Sequence, residues 1–309
     1  MASQRLATSL KTVIFNQTML RVKDPKKSVA FYEKHFNMTL AHAAHFSDFS
    51  LYFLVSLPTT TLPESKKTID YVWSGEYGCT LELTHNHGTE ADPAFAYHAG
   101  NTAPLSCFGY VGFKVPSGRL GAARAALKAD GFTAKDDKAA LVTADPDGYS
   151  VRVEERSAAA TNPNPSWHRS MIRVRDGKAS AEFYQRICGL SLYGTQRNED
   201  DQSTSYFLGS VAADASSPTW LADQLGTVLE LRQFDNAPTE YLNGNTEPYR
   251  GFGHLALIVD DVYETCAAME ELGVQFQKKP DDGRMKGLAF IKDIDGYWIE
   301  IIRRQPLAA

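Results

Sequence analysis

Apolar and polar residues along this chain alternate in two rhythms that keep replacing one another. Period-two stretches open four units: "QTMLRVKD", "YVGFKVP", "SMIRVRD" and "HLALIVDD". Each is followed by a stretch with a period of about 3.6 residues, "PKKSVAFYEKHF", "GRLGAARAALKADG", "KASAEFYQRI" and "VYETCAAMEELG", the spacing of an amphipathic helix. Short alternating runs then close each unit, ending in "TLELTH", "YSVRVE", "VLELRQ" and "YWIEII". Asp-Pro and Asp-Gly steps punctuate the changes, as turns require. The pattern predicts four βαβββ units of α+β class, pairing their sheets into concave, half-barrel surfaces.

The units repeat at a larger scale. "MLRVKDPKKSVAFYEKHFNMTL" (Met19 to Leu40) returns as "MIRVRDGKASAEFYQRICGLSL" (Met171 to Leu192), and "DPDGYSVRV" (Asp145 to Val153) returns as "DIDGYWIEI" (Asp293 to Ile301). The offset stays near 150 residues along the whole length, which marks two homologous halves rather than chance matches. The halves are expected at 1–157 and 158–309, joined by the extended linker "RSAAATNPNPSWHR" (Arg156 to Arg169).

Composition narrows the class. A chain of 309 residues with 43% hydrophobic and 22% charged residues suits two soluble domains. A formal charge of -5 offers no basic face for nucleic acid and no polybasic membrane patch. No apolar run approaches the ~18 residues that span a bilayer. The start, "MASQRLATSLKTVIF", is too short before its strand-like "TVIF" to suggest a transit peptide. Cys79, Cys107, Cys188 and Cys266 are scattered without a CxxC pair, favouring buried thiols in the cytoplasm.

Four polar residues interrupt otherwise apolar strands: Gln17, Glu82, His254 and Glu300. Singly, each has an ordinary reading, a solvated carboxylate or a hydrogen-bonded structural histidine. Their placement is more telling. Gln17 opens the first unit and Glu82 closes it, while His254 opens the fourth and Glu300 closes it. Two units that each contribute a ligand from first and last strand would form a four-ligand N/O site for Zn²⁺ or another first-row divalent ion.

These stretches carry a resemblance. "QTMLRVKDPKKSVAFY", "FSLYFL", "TLELTHNHGTE", "RGFGH" and "KKPDDGRMKGLAFIKDIDGYWIEI" are similar, in order, to the glyoxalase I family of the vicinal-oxygen-chelate superfamily, in its fused two-half form. The resemblance covers nearly the whole chain. It implies a metal between halves held by Gln17, Glu82, His254 and Glu300, with Zn²⁺ first and Ni²⁺ or Co²⁺ as alternatives. The zinc preference leans on the long lead and the insertion "SLPTTTLPESKKTIDYVWSGEYG". The implied substrate is the hemithioacetal of methylglyoxal and glutathione, isomerised to S-D-lactoylglutathione through an enediolate. Glu300 is then the general base, with Glu82 the second catalytic carboxylate. Glutathione carboxylates need cations and amide donors, and the resemblance assigns Arg21, Asn86, Arg250, Lys278 and Arg284, the last where the family often has Lys. Phe46, Phe49, Leu51, Phe53 and Met285 would line an apolar pocket for the methyl end; ordinary strand core is the other reading of Leu51 and Phe53. Because the fusion supplies the interface of a homodimer internally, a monomer is expected.

The repeat also predicts an asymmetry. Where the second half-and-half site should lie, Tyr110 stands at the His position, Arg152 at the last Glu and Arg169 at the Gln, leaving only Glu230. The neighbouring His168 would restore one more ligand if it slipped into register. An arginine repels a divalent ion and offers no lone pair, so one site is expected to be complete and the other degenerate. Two further readings share the fold: a non-catalytic small-molecule-binding protein, and a metal-dependent oxygenase, which wants two histidines and one carboxylate where this set has one imidazole.

Overall fold

The computed structural model describes residues 1–57, 62–75, 79–158, 162–210 and 228–305. Parts of the 56–78 insertion, and the middle of the linker, therefore lie outside the described residues. The chain opens with helix α1 (Ala2–Ser9). Unit one comprises β1 (Ile14–Arg21), α2 (Pro25–Phe36), β2 (Met38–His45), β3 (Phe49–Ser56), the short α3 (Ile69–Val72) and β4 (Thr80–Asn86). Unit two follows with β5 (Phe108–Val115), α4 (Leu120–Ala129), β6 (Lys135–Asp137), β7 (Ala140–Ala144) and β8 (Ser150–Glu155). Unit three has β9 (Ser166–Arg173), α5 (Gly177–Arg186), β10 (Ser191–Asn198), β11 (Ser203–Gly209) and β12 (Val228–Phe234). Unit four has β13 (Phe252–Val259), α6 (Val262–Glu271), β14 (Phe276–Lys278), β15 (Ala289–Lys292) and β16 (Trp298–Arg303).

Three of the unit helices begin where an aspartate caps them. Asp24, Asp176 and Asp261 each accept a backbone N–H of the first turn, satisfying a donor the helix cannot.

The four units form two curved eight-stranded sheets, and neither sheet belongs to one half. The first runs β14-β15-β16-β13-β1-β4-β3-β2 and the second β10-β11-β12-β9-β5-β8-β7-β6. Unit one is thus joined to unit four through antiparallel β1 and β13, and unit two to unit three through β5 and β9. Equivalent residues of the halves meet each other: Thr18 Oγ1 lies 2.8 Å from Ser170 Oγ, and Phe108 stacks on Phe252 at 5.6 Å. This self-matching contact is what a pseudo-twofold relation produces.

Alternation along the strands divides the work. Leu81, Leu83, Leu255, Leu257, Ile299 and Ile301 enter one large core shared with Val111, Phe113, Ile172 and Leu231 of the other sheet. The residues between them point the other way, into the concavities. Helix α1 was absent from the sequence pattern. Eight residues are too few to hold a helix alone; Leu6 and Leu10 bury instead in the main core, with Leu10 against Gly189 of the other half.

Candidate active site

Register brings the four polar strand residues to one place. On the central strands Met19 pairs with both Glu82 and His254, Gln17 pairs with Ala256, and Ala256 pairs with Glu300. All four side chains then share the concave face of the first sheet. Gln17 is 1% exposed, Glu82 4%, and His254 and Glu300 6% each.

They converge on a common point. Gln17 Nε2 donates to Glu82 Oε2 at 2.7 Å and to Glu300 Oε2 at 3.0 Å. His254 Nε2 lies 3.2 Å from Glu300 Oε2 and 3.5 Å from Glu82 Oε2. Ligand atoms of Glu82, His254 and Glu300 all fall within 4.8 Å of one another. Thr84 Oγ1 fixes the far oxygen of Glu82 at 3.1 Å, and Phe290 packs edge-on against the His254 ring at 5.2 Å. Neither was singled out in the sequence, although Thr84 lies two residues beyond Glu82 and so on the same face.

The electrostatics are those of excess buried negative charge. Burial disfavours the imidazolium of His254, yet Glu300 and Glu82 outweigh it and raise its pKa to about 9. Burial, with the charge of Glu82 adding to it, pushes the Glu300 carboxyl up against the opposing pull of His254 and Lys278. Gln17 Oε1 and His254 Nε2 are both buried without an aligned hydrogen bond. An amide oxygen, an imidazole nitrogen and two carboxylates make the donor set of a divalent ion. The unpaired Gln17 oxygen fits that use, since a buried lone pair without a partner is costly.

Around this centre the expected substrate residues take different positions. Lys278 on β14 is close enough for Glu300 to affect its charge, while its Nζ donates to the Leu288 carbonyl at 2.6 Å. Arg21 is buried, and its Nη1 donates to the carbonyls of Gly244, Gly251 and Phe252 at 3.1–3.3 Å, with Nη2 on Asn245. Its guanidinium therefore pins a loop. The charge of Arg250 reaches it, while Arg250 itself pairs with Glu247 at 3.1 Å. Asn86 Nδ2 donates to Tyr97 at 2.7 Å. Arg284 and Met285 are exposed on the loop before β15. Phe46 and Phe49 stack at 4.6 Å across the turn between β2 and β3. Phe53 lies opposite Glu82 on the same face, but it is 1% exposed within a small cluster that Leu51 flanks.

The second sheet presents the same positions with different chemistry. Arg169 pairs with Gly112, Met171 with Tyr110 and with Glu230, and Gly112 with Arg152, so register makes Arg169, Tyr110, Glu230 and Arg152 the counterparts of the four. His168 lies at the register shift between Trp167 and Arg169, and it is Arg169 that stands opposite Gly112. Glu230 is fully buried and saturated: Tyr110 donates at 2.5 Å, Ser205 at 2.7 Å, Arg232 at 2.6 Å and Arg169 lies at 3.1 Å. Burial works against its charge, but the two arginines and the hydroxyls hold its pKa below the usual range. Burial works against the charge of Glu154 as well, but Arg169 and Arg152 embrace it at 2.6 and 2.8 Å and bring its pKa down to about 2. Arg232 was not anticipated. It takes the place of Thr84, two residues after the glutamate, so the switch from "LELT" to "LELR" was its signal.

Residues 14–153 and 167–301 each match the Glyoxalase/Bleomycin resistance protein/Dioxygenase superfamily. The chain is 35% identical to glyoxalase I of Saccharomyces cerevisiae over 96% of its length and 94% of the relative's. It is 32% identical to a lactoylglutathione lyase of Schizosaccharomyces pombe, over 96% of this chain and 99% of that one. The crystal structure of glyoxalase I from Zea mays shares the fold with a TM-score of 0.70 at 22% identity, covering 94% of this chain and 92% of that one. Among the described residues no helix is long and apolar enough to cross a membrane. With both halves matched and relatives similar over their full length, the chain belongs to the glyoxalase I (lactoylglutathione lyase) family.

Proposed function

We propose that this chain is a metal-dependent lactoylglutathione lyase that isomerises the methylglyoxal–glutathione hemithioacetal to S-D-lactoylglutathione at one site, in the concavity of the first sheet. The observation that carries this is the convergence of Glu82, His254 and Glu300, with Gln17 hydrogen-bonded to both carboxylates, drawn from both halves and buried together. A divalent ion there, with Zn²⁺ preferred over Ni²⁺ or Co²⁺, would supply Lewis-acid stabilisation of the developing enediolate charge.

The protein's own groups do the remaining work. Glu300 removes the proton from one substrate carbon and returns it to the next. Glu82 is the second carboxylate of the centre, held in orientation by Thr84. Gln17 and His254 complete the polar floor, and Phe290 helps to keep water out. Arg250 and Lys278, with Asn86, Arg284 and the free donors of Arg21, receive the glutathione carboxylates. Phe46, Phe49, Leu51, Phe53 and Met285 face the methyl end. The fused halves work as a monomer, and the four buried thiols suit the cytoplasm.

The test is thioester formation from methylglyoxal plus glutathione, followed by ultraviolet absorbance before chelation, after it, and after Zn²⁺ is restored. Activity should appear, vanish and return. A metal-loaded chain that forms no thioester would favour a binding protein or an oxygenase, although the latter wants a second imidazole that this cluster lacks.

A further inference from the structure

The internal repeat exposes a difference far from the catalytic concavity. In the first half the turn after α4 closes against α2. Phe132 packs edge-on against Phe31 at 4.7 Å and against His35 at 5.6 Å. Beside it, the Asp130 carboxylate takes Lys34 at 2.6 Å and His35 at 3.0 Å. One aromatic ring and one carboxylate thus fill the space between helix and turn.

The second half builds the same turn. Phe132 N–H donates to the Leu127 carbonyl at 3.0 Å, and its counterpart Val274 N–H to the Met269 carbonyl at 3.1 Å. The side chains differ. By the repeat, Asp130 is replaced by Leu272 and Phe132 by Val274, while Phe31, Lys34 and His35 correspond to Phe183, Arg186 and Ile187. Ring and carboxylate are both gone, and a groove of about 630 Å³ lies there, within the size range of small-molecule sites. Phe183, Ile187, Leu272 and Val274 give it an apolar floor, and Arg186 and Lys292 stand on its rim. Arg186 has lost the acid its counterpart Lys34 holds, and Lys292 replaces Ala144. Neither side chain has an ion pair or hydrogen bond among the described residues. Arg175, also on the rim, is committed to Asp295 at 2.6 Å. The exposed Glu182 offsets one of the two available cations, while Asp293, which also lines the groove, is buried and held by Tyr184 and by the backbone N–H groups of Asp295 and Tyr297, so the positive charge open to a ligand is that of the rim.

We infer that this groove binds a small monoanion that joins an aromatic ring to a carboxylate, the two groups the chain itself supplies in its first half. The ring replaces Phe132 on the apolar floor, and the carboxylate replaces Asp130 beside Arg186, with Lys292 within the same rim. None of the residues lining this groove is among the candidate site residues of the concavity.

The experiment is calorimetric titration of the metal-loaded protein with 3-phenylpropionate, alongside 3-phenylpropanol and propionate as ring-only and charge-only probes. Saturable binding of 3-phenylpropionate is expected, with each partial probe about tenfold weaker or worse, a step of 1.4 kcal/mol. The Leu272→Asp, Val274→Phe double variant restores the first half's filling and should abolish binding with lyase activity retained. Should that variant fold poorly, Arg186→Ala and Lys292→Ala change only rim residues and should each weaken binding about tenfold. No saturable binding to the wild-type chain, or equal binding to wild type and to these variants, would overturn the assignment.

Discussion

Glu82 and Glu230 stand at equivalent positions on equivalent strands, and their surroundings give them opposite work. Glu82 shares its space with an amide, an imidazole and another carboxylate; Glu230 is neutralised by Arg169 and Arg232. Glu300→Gln should keep the fold and lower kcat by at least ~10²-fold, as loss of a positioned base does. Glu230→Gln should leave kcat of the folded enzyme little changed but lower the denaturation midpoint. Breaking a buried pair on one side costs about 3–5 kcal/mol. Equal losses of kcat in both variants would contradict these roles. Arg250 is half-buried, so Arg250→Ala should raise KM roughly 30-fold, the equivalent of about 2 kcal/mol and the low end for a truncated charge pair, with metal content unchanged. Arg21→Ala should also destabilise the chain, because that guanidinium pins the 244–252 loop. This double duty was not legible in the sequence, where Arg21 and Arg173 look like matching cations; Arg173 grips the loop carbonyls of Gly100 and Ser106 in the same manner. The four candidate ligands were legible from their placement on the first and last strands of two units and from the family resemblance, since each polar residue taken singly has an ordinary reading.

At the scale of elements, each half is tied by one aspartate at the turn before its last strand. Asp145 accepts the Tyr32 hydroxyl at 2.9 Å together with the backbone N–H groups of Asp147 and Tyr149. Asp293 does the same with Tyr184, Asp295 and Tyr297. Burial above all raises both carboxyls to about 7, with the neighbouring Asp147 or Asp295 adding to it. A carboxyl whose pKa is higher folded than unfolded stabilises the protein fully below its unfolded value. That contribution is lost as pH rises through the folded value. Stability from these groups should therefore decline between about pH 4 and 7. Asp145→Asn keeps an acceptor for the backbone and gives the tyrosine a donor, so its denaturation midpoint should fall less than that of wild type over this range. An unchanged decline would show that Asp145 is not the titrating group. The strands and helices themselves followed from period and punctuation. Helix α1 did not, because only tertiary burial of Leu6 and Leu10 makes it stable. The open groove beside α5 was equally hidden, since it depends on which side chains meet across a turn.

Over the whole molecule, the fusion of two halves decides what the chain can do. Each sheet takes one unit from each half, so the candidate site exists only when both are folded together. The lyase should be active as a monomer, with specific activity independent of protein concentration and light scattering at one chain mass. Activity that rises with concentration as a dimer forms would contradict this. That the repeat folds across its halves was implied by family resemblance and not by periodicity, which is blind to which unit pairs with which. The central claim is that one of two pseudo-equivalent concavities holds the metal while arginines fill the other. The ratio of tightly bound divalent ion to chain tests it most directly, measured after exhaustive dialysis for wild type and for His254→Ala. One ion per wild-type chain, falling sharply in the variant, is the predicted result; two ions per chain, or one that survives loss of His254, would contradict it.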